Sequence, residues 1–121
     1  MHSIWVADDD EAIRLILEES LTSSGFETKS FSSGEELIKE LDATQPDLII
    51  TDVQMPGMLG YDLLKHINNN YEDIPVIIMT AFADMQAAVE SFGGGAFEYL
   101  PKPFDLEAVS YTHLRAHETV E

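Results

Sequence analysis

Apolar and polar positions fall in blocks along this chain, and four apolar blocks stop abruptly at a polar, chemically capable residue. Residues 4–7 run into Asp8, Asp9 and Asp10, residues 48–50 into Thr51 and Asp52, residues 76–79 into Thr80, and residues 97–100 into Pro101, Lys102 and Pro103. Short continuous apolar runs of this kind suit strands buried on both faces of a parallel sheet. Between them the period becomes helical. Ile13, Leu15, Ile16, Leu17 and Leu21 fall mostly on one face of a first helix, with Glu18 and Glu19 opposite and Gly25 as its C-terminal stop. Residues 26–31 read as a weaker strand near a sheet edge. Ser32, Ser33, Glu35 and Glu36 then supply the cap and first-turn acids of a helix carrying Leu37, Ile38 and Leu41, which Pro46 stops.

Residues 55–60 form a loop by their proline and glycine content, and residues 61–70 resume helical spacing through Leu63, Leu64 and Ile67 until Asn68, Asn69 and Asn70 end it. A strand over 75–80 precedes a helix over 84–92 that turns Met85, Ala88, Val89 and Phe92 inward, and a last strand covers 96–100. Strictly alternating βα units imply right-handed crossovers and a parallel sheet covered by helices on both faces. Two stretches break local rules. Gly93, Gly94 and Gly95 would each cost a helix roughly 1 kcal/mol relative to alanine, so the fourth helix ends there. His113 and His117 stand where a stripe continuing from Leu106 and Val109 needs apolar residues, so the pattern does not define a fifth helix.

At 121 residues and 45% hydrophobic content the chain is one domain's worth, enough for a single core. Six basic residues against 23 acidic ones give a net charge of -17, which disfavours direct binding to nucleic acid or to an anionic membrane. There is no cysteine, hence no disulfide framework, thiolate metal site or thiol nucleophile. The first residues lack a basic segment and Asp8 interrupts the apolar run too early for a signal peptide or membrane span, so a soluble, cytoplasmic protein is expected.

If the apolar runs are parallel strands, their polar ends gather at one sheet edge, where open α/β sheets place their sites. Asp8 and Asp9 facing Asp52 across neighbouring strands would repel one another unless a cation sat between them. A hard divalent ion such as Mg²⁺ takes few carboxylates, keeps several waters and reaches for phosphate oxygens. Asp52 is the candidate nucleophile toward an activated phosphoryl donor, with Mg²⁺ and Lys102 offsetting charge and the Thr80 hydroxyl available to a phosphoryl oxygen. Plainer roles compete at several positions. Asp10 and Glu11 suit the cap and first turn of helix one. Taken singly, Thr51, Thr80 and Lys102 are ordinary strand-end residues; only their conjunction singles them out. Trp5, Phe97 and the methionines suit a core, and His66 a solvated helix face. His113 and His117, spaced i and i+4, lack a third metal ligand.

With these motifs in place the chain resembles the receiver domains of response regulators in bacterial two-component signalling, especially the nitrogen-regulatory, NtrC-type class that precedes a sigma-54-activating ATPase. The resemblance rests on residues 5–10, 47–58, 75–81 and 95–104 in order, and covers residues 3–109, leaving 110–121 as an atypical tail. It implies a flavodoxin-like, doubly wound sheet in the order 2-1-3-4-5, with Asp52 as phosphoacceptor for a sensor histidine kinase. It also implies Mg²⁺ bound by Asp9, Asp52 and the Gln54 main-chain carbonyl, with Asp8 acting through a water. Lys102 would contact the phosphoryl group, ahead of a cis bond to Pro103, and Thr80 with Tyr99 would form a switch that alters the helix 4 and strand 5 surface. Self-dimerisation, or a downstream ATPase or DNA-binding module regulating transcription, would follow from the same resemblance. Leu59 departs from it, standing where such domains commonly carry aspartate. Three rivals share parts of the pattern: a haloacid-dehalogenase-like phosphohydrolase, which Ala12 and the short chain disfavour; a flavodoxin-like electron carrier, whose FMN phosphate the aspartates would repel; and a receiver-shaped module that is never phosphorylated.

Overall fold

The computed structural model describes residues 2–53, 55, 57–71, 73–81, 84–92, 95–96 and 98–102. Strands and helices alternate as β1 (Ser3–Ala7), α1 (Glu11–Ser23), β2 (Glu27–Phe31), α2 (Gly34–Leu41), β3 (Leu48–Asp52), α3 (Gly60–Asn70), β4 (Val76–Ala81), α4 (Met85–Phe92) and β5 (Glu98–Lys102). The five strands pair in parallel in the order β2-β1-β3-β4-β5, the arrangement expected, with β2 at one edge.

Strand alternation builds two apolar layers. Ile4, Val6, Leu48, Ile50, Ile77 and Met79 meet Leu17 and Leu21 of α1, while Trp5, Ala7, Ile49 and Ile78 meet Leu37 and Leu41 of α2, Leu63, Leu64 and Ile67 of α3, and Ala88 of α4. Nearly all of these side chains are fully buried, and each valine, leucine, isoleucine or methionine among them contributes about 1.5–3 kcal/mol of transfer free energy. The helix ends follow the local chemistry. Asp10 caps α1 by accepting the Ala12 N–H at 2.9 Å, Glu11 supplies a first-turn acid, and Gly25 turns the chain out at φ +97°. Ser33 caps α2 by accepting the Glu36 N–H.

Several expectations need correction. Leu15 and Ile16 are 53% and 48% exposed, because the inward stripe of α1 is the narrow series Ile13, Leu17 and Leu21; Leu15, two positions from Leu17, points about 200° away from it, and Ile16, one position away, about 100°. Val89 is 43% exposed because Ala88, next to it, fills the inward position of α4 and leaves Val89 about 100° round the helix. Helix α2 ends at Leu41 rather than at Pro46; the N–H groups of Ala43 and Thr44 both return to the Glu40 carbonyl in a turn that closes it. His66 is half-buried, its ring 6.3 Å from that of Tyr71. Trp5, Met55 and Met79 are core as anticipated, and Met58 and Met85 are half-buried. Phe97, Gly93, Gly94, the His113 and His117 pair, and the tail from 110 to 121 lie outside the described residues.

Candidate functional site

β1 and β3 are neighbours with Ala7 opposite Thr51, so the next residue of each strand, Asp8 and Asp52, arrives level at the carboxyl edge of the sheet. Carboxylate oxygens of Asp8, Asp9 and Asp52 lie within 4.8 Å of one another. Asp8 is fully buried, Asp52 half-buried and Asp9 exposed. Two like charges at that separation repel by about 1 kcal/mol in water and about 3 kcal/mol at an effective dielectric near 20, so a grouping of three is a poor arrangement for carboxylates alone and a good one around a cation.

The main chain aims this group. Asp8 Oδ1 accepts the Asp10 N–H at 2.9 Å, and Asp52 Oδ1 accepts the Val53 N–H at 2.9 Å. The Asp8 N–H donates to the Phe31 carbonyl at 3.1 Å, extending the β1–β2 pairing one residue past the strand. Arg14, one turn into α1, donates from Nη1 to the Asp8 carbonyl at 2.8 Å. At the second strand end the fully buried Thr51 donates its hydroxyl to the Asp52 carbonyl at 3.1 Å. The Gly60 N–H donates to the Val53 carbonyl at 2.8 Å, seating α3 directly behind Asp52. A Cβ at Gly60 would lie 2.2 Å from the Asp52 carbonyl oxygen, so only glycine lets α3 start so close. The loop before α3 packs on the start of α2: Gly57, at φ +79°, lies under Glu35, and Met58 lies against Gly34.

Thr80, 5% exposed, stands one residue past the Asp52–Met79 pair, at the same sheet edge. Tyr99 pairs with Ile78 and packs on the layer beneath α3 and α4, two register positions below Thr80 on that face. Burial holds its phenol above the ordinary value of 10.0. Lys102 pairs with Ala81 at the carboxyl edge of β5, though its side chain, like all of Gln54 and Pro103, lies outside the described residues. The sequence reading therefore placed Asp8, Asp9, Asp52 and Thr80 correctly at one edge. It missed Arg14, which reaches the Asp8 carbonyl, and Gly60, read only as loop.

A family model described as response regulator receiver domain matches residues 4–112. The chain belongs to this family. It is thus the receiver domain of a two-component response regulator, a signalling switch. The receiver is 48% identical over 103 residues to the DNA-binding transcriptional regulator NtrC of Klebsiella pneumoniae, an alignment covering 85% of this chain and 22% of that protein. The chain therefore spans about a fifth of the length of the NtrC proteins it matches. A putative response regulator from Chloroflexus aurantiacus superposes with a TM-score of 0.85 at 34% identity, covering 92% of this chain and 93% of that one. NtrX from Brucella abortus superposes with a TM-score of 0.89 at 26% identity, over 98% of this chain and 27% of that one. The family removes the phosphohydrolase and electron-carrier alternatives. Asp10, the second acid a phosphohydrolase would use, is here the cap of α1. The receiver's acidic pocket is suited to a metal ion, and its all-oxygen donors fit a hard divalent cation such as Mg²⁺. Among the described residues no helix is long and apolar enough to cross a membrane.

Proposed function

We propose that Asp52 is the phosphoacceptor of this receiver domain, spanning residues 3–109, and that Asp9, Asp52 and the Gln54 main-chain carbonyl hold Mg²⁺, with Asp8 acting through a bound water. The reading is carried by the three carboxylates of two adjacent strand ends lying within 4.8 Å of one another. A carboxylate oxygen of Asp52 attacks the phosphorus of a phosphohistidine on a sensor kinase. The phosphorus–nitrogen bond breaks, its electron pair stays on the imidazole, and an acyl phosphate forms on Asp52. Bound Mg²⁺ supplies positive charge that offsets the negative charge of the transferring group. The N–H of Val53 keeps one Asp52 oxygen fixed so that the other meets the donor in line. Attack of water on the same phosphorus later releases inorganic phosphate and restores the carboxylate.

Once the phosphoryl group is in place, Lys102 pairs with it and the Thr80 hydroxyl donates to one of its oxygens. Thr80 shares its face with Tyr99, which shifts inward behind it and changes the surface of α4 and β5. In a longer protein resembling the NtrC regulators, that surface would control an ATPase or DNA-binding module, or a second copy of the receiver, and so transcription in the cytoplasm. The test is incubation with Mg²⁺ and a small acyl phosphate donor, read by intact mass. The wild-type chain gains one phosphoryl group and Asp52→Asn gains none; equal labelling of both removes Asp52 as acceptor. Lys102→Ala keeps Mg²⁺ binding and loses the conformational response, and an unchanged response takes Lys102 out of the mechanism.

A further inference from the structure

We infer that Arg14 is a positioning residue for the cation pocket, acting through the main chain of Asp8. The inference rests on the Mg²⁺ reading above. Arg14 sits one turn into α1, and long helical side chains lean toward the N-terminus, which brings its guanidinium back over the β1–α1 turn. It closes that turn twice: its own N–H donates to the Asp10 carbonyl at 3.1 Å, and its Nη1 donates to the Asp8 carbonyl at 2.8 Å. With the Asp8 N–H on Phe31 and Asp8 Oδ1 on the Asp10 N–H, both main-chain groups and the carboxylate of Asp8 are tied. The Asp8 carbonyl belongs to the peptide that leads into Asp9. Asp9 is exposed, so the orientation of that peptide sets where its carboxylate points, and Arg14 is the group that holds the peptide's oxygen.

Two effects of Arg14 on a bound cation oppose each other. As a positive charge it repels the metal, so charge alone predicts tighter binding when it is removed. As a clamp on the turn it keeps Asp8 and Asp9 directed at Asp52, so geometry predicts weaker binding when it is removed. Geometry wins because the 2.8 Å hydrogen bond to the Asp8 carbonyl acts directly on the turn that carries Asp8 and Asp9, whereas Arg14 is only half-buried and water screens its charge. Glu36, on α2, is held below the ordinary carboxylate range first by the Ser32 hydroxyl, with Ser33, Arg14 and Lys39 adding to the effect against desolvation.

The test is calorimetric titration of the intact chain with Mg²⁺ alone, beside melting without metal. Arg14→Ala raises the Mg²⁺ dissociation constant roughly 10-fold, the scale on which outer contacts to metal sites act. Arg14→Lys, which keeps a donor that can reach the carbonyl, recovers most of that loss, and Glu36→Gln leaves affinity as it was. Unchanged or tighter binding in Arg14→Ala overturns the inference, as does a lysine variant no better than alanine or a Glu36→Gln variant that weakens binding equally. Arg14→Gln gives the same comparison if the alanine variant fails to fold. Asp9→Asn in the same titration separates the levels: if it still binds Mg²⁺ normally, the pocket itself is wrong and the inference falls with it, whereas lost binding there with wild-type binding in Arg14→Ala removes Arg14 alone.

Discussion

Replacing Gly60 with alanine adds one methyl group at the point where α3 meets the acceptor strand. The new carbon would stand 2.2 Å from the Asp52 carbonyl oxygen, 3.0 Å from the Val53 Cα and 3.1 Å from the Asp52 carbonyl carbon. All three are backbone atoms, so no side-chain rotation relieves the contact. Reaching ordinary contact at 3.4 Å requires α3 and the end of β3 to part by about 1.2 Å. Overpacking of this kind costs about 1–3 kcal/mol, offset by at most about 1 kcal/mol from the better helix propensity of alanine. The net destabilisation of about 1–2 kcal/mol lowers the melting temperature by roughly 4–8 °C for a domain of this size. The displacement acts on Asp52 itself, and a misplacement of about 1 Å at a reacting group can slow transfer on the order of 100-fold. Two measurements decide the matter: the melting temperature, and the rate of mass gain with Mg²⁺ and a small acyl phosphate donor. Gly60→Ala that melts at or above wild type and labels at the wild-type rate would refute the steric argument.

Leu59 is the N-cap residue of α3 and offers no side-chain acceptor, although Asp62 Oδ2 accepts its N–H at 3.3 Å; Leu59→Asp should stabilise the chain by about 1 kcal/mol in denaturant melts. Leu63→Ala, at a fully buried position on the inner face of α3, should cost about 2–5 kcal/mol in the same assay. Burial raises the Tyr99 phenol above 10.0, so its contribution to stability is whole below that value and declines as pH rises through the folded-state value. Comparing melts at about pH 9 and about pH 11, wild type should lose more stability than Tyr99→Phe, and equal losses would show that the ring is not burdened by burial.

The parallel sheet was legible because continuous runs such as Leu48, Ile49 and Ile50 have no polar face, which only a two-sided core tolerates. The acidic edge was legible because the runs of β1, β3 and β4 each stopped at an acid or hydroxyl, and register then brought Asp8 and Asp52 level. Helix faces were harder to read. Leu15, Ile16 and Val89 are apolar yet exposed, since hydrophobic character says what can be buried while the narrow groove above a sheet decides what is. Gly60 and Arg14 were missed for a different reason. Each acts on backbone atoms distant in sequence or one turn back, Gly60 on Asp52 and Arg14 on Asp8, and main-chain carbonyls leave no residue-type signature to match.

The single tryptophan turns the molecule into its own indicator. Trp5 lies 2% exposed on β1, 5.3 Å from the Phe31 ring and with Lys29 Nζ 5.7 Å above it, in the same apolar cluster as Ile78, Ala88 and Tyr99. Any repacking of that cluster alters the field and the quenchers around the indole, so emission colour and intensity can follow the domain in real time without a dye, an added label or a redesigned residue.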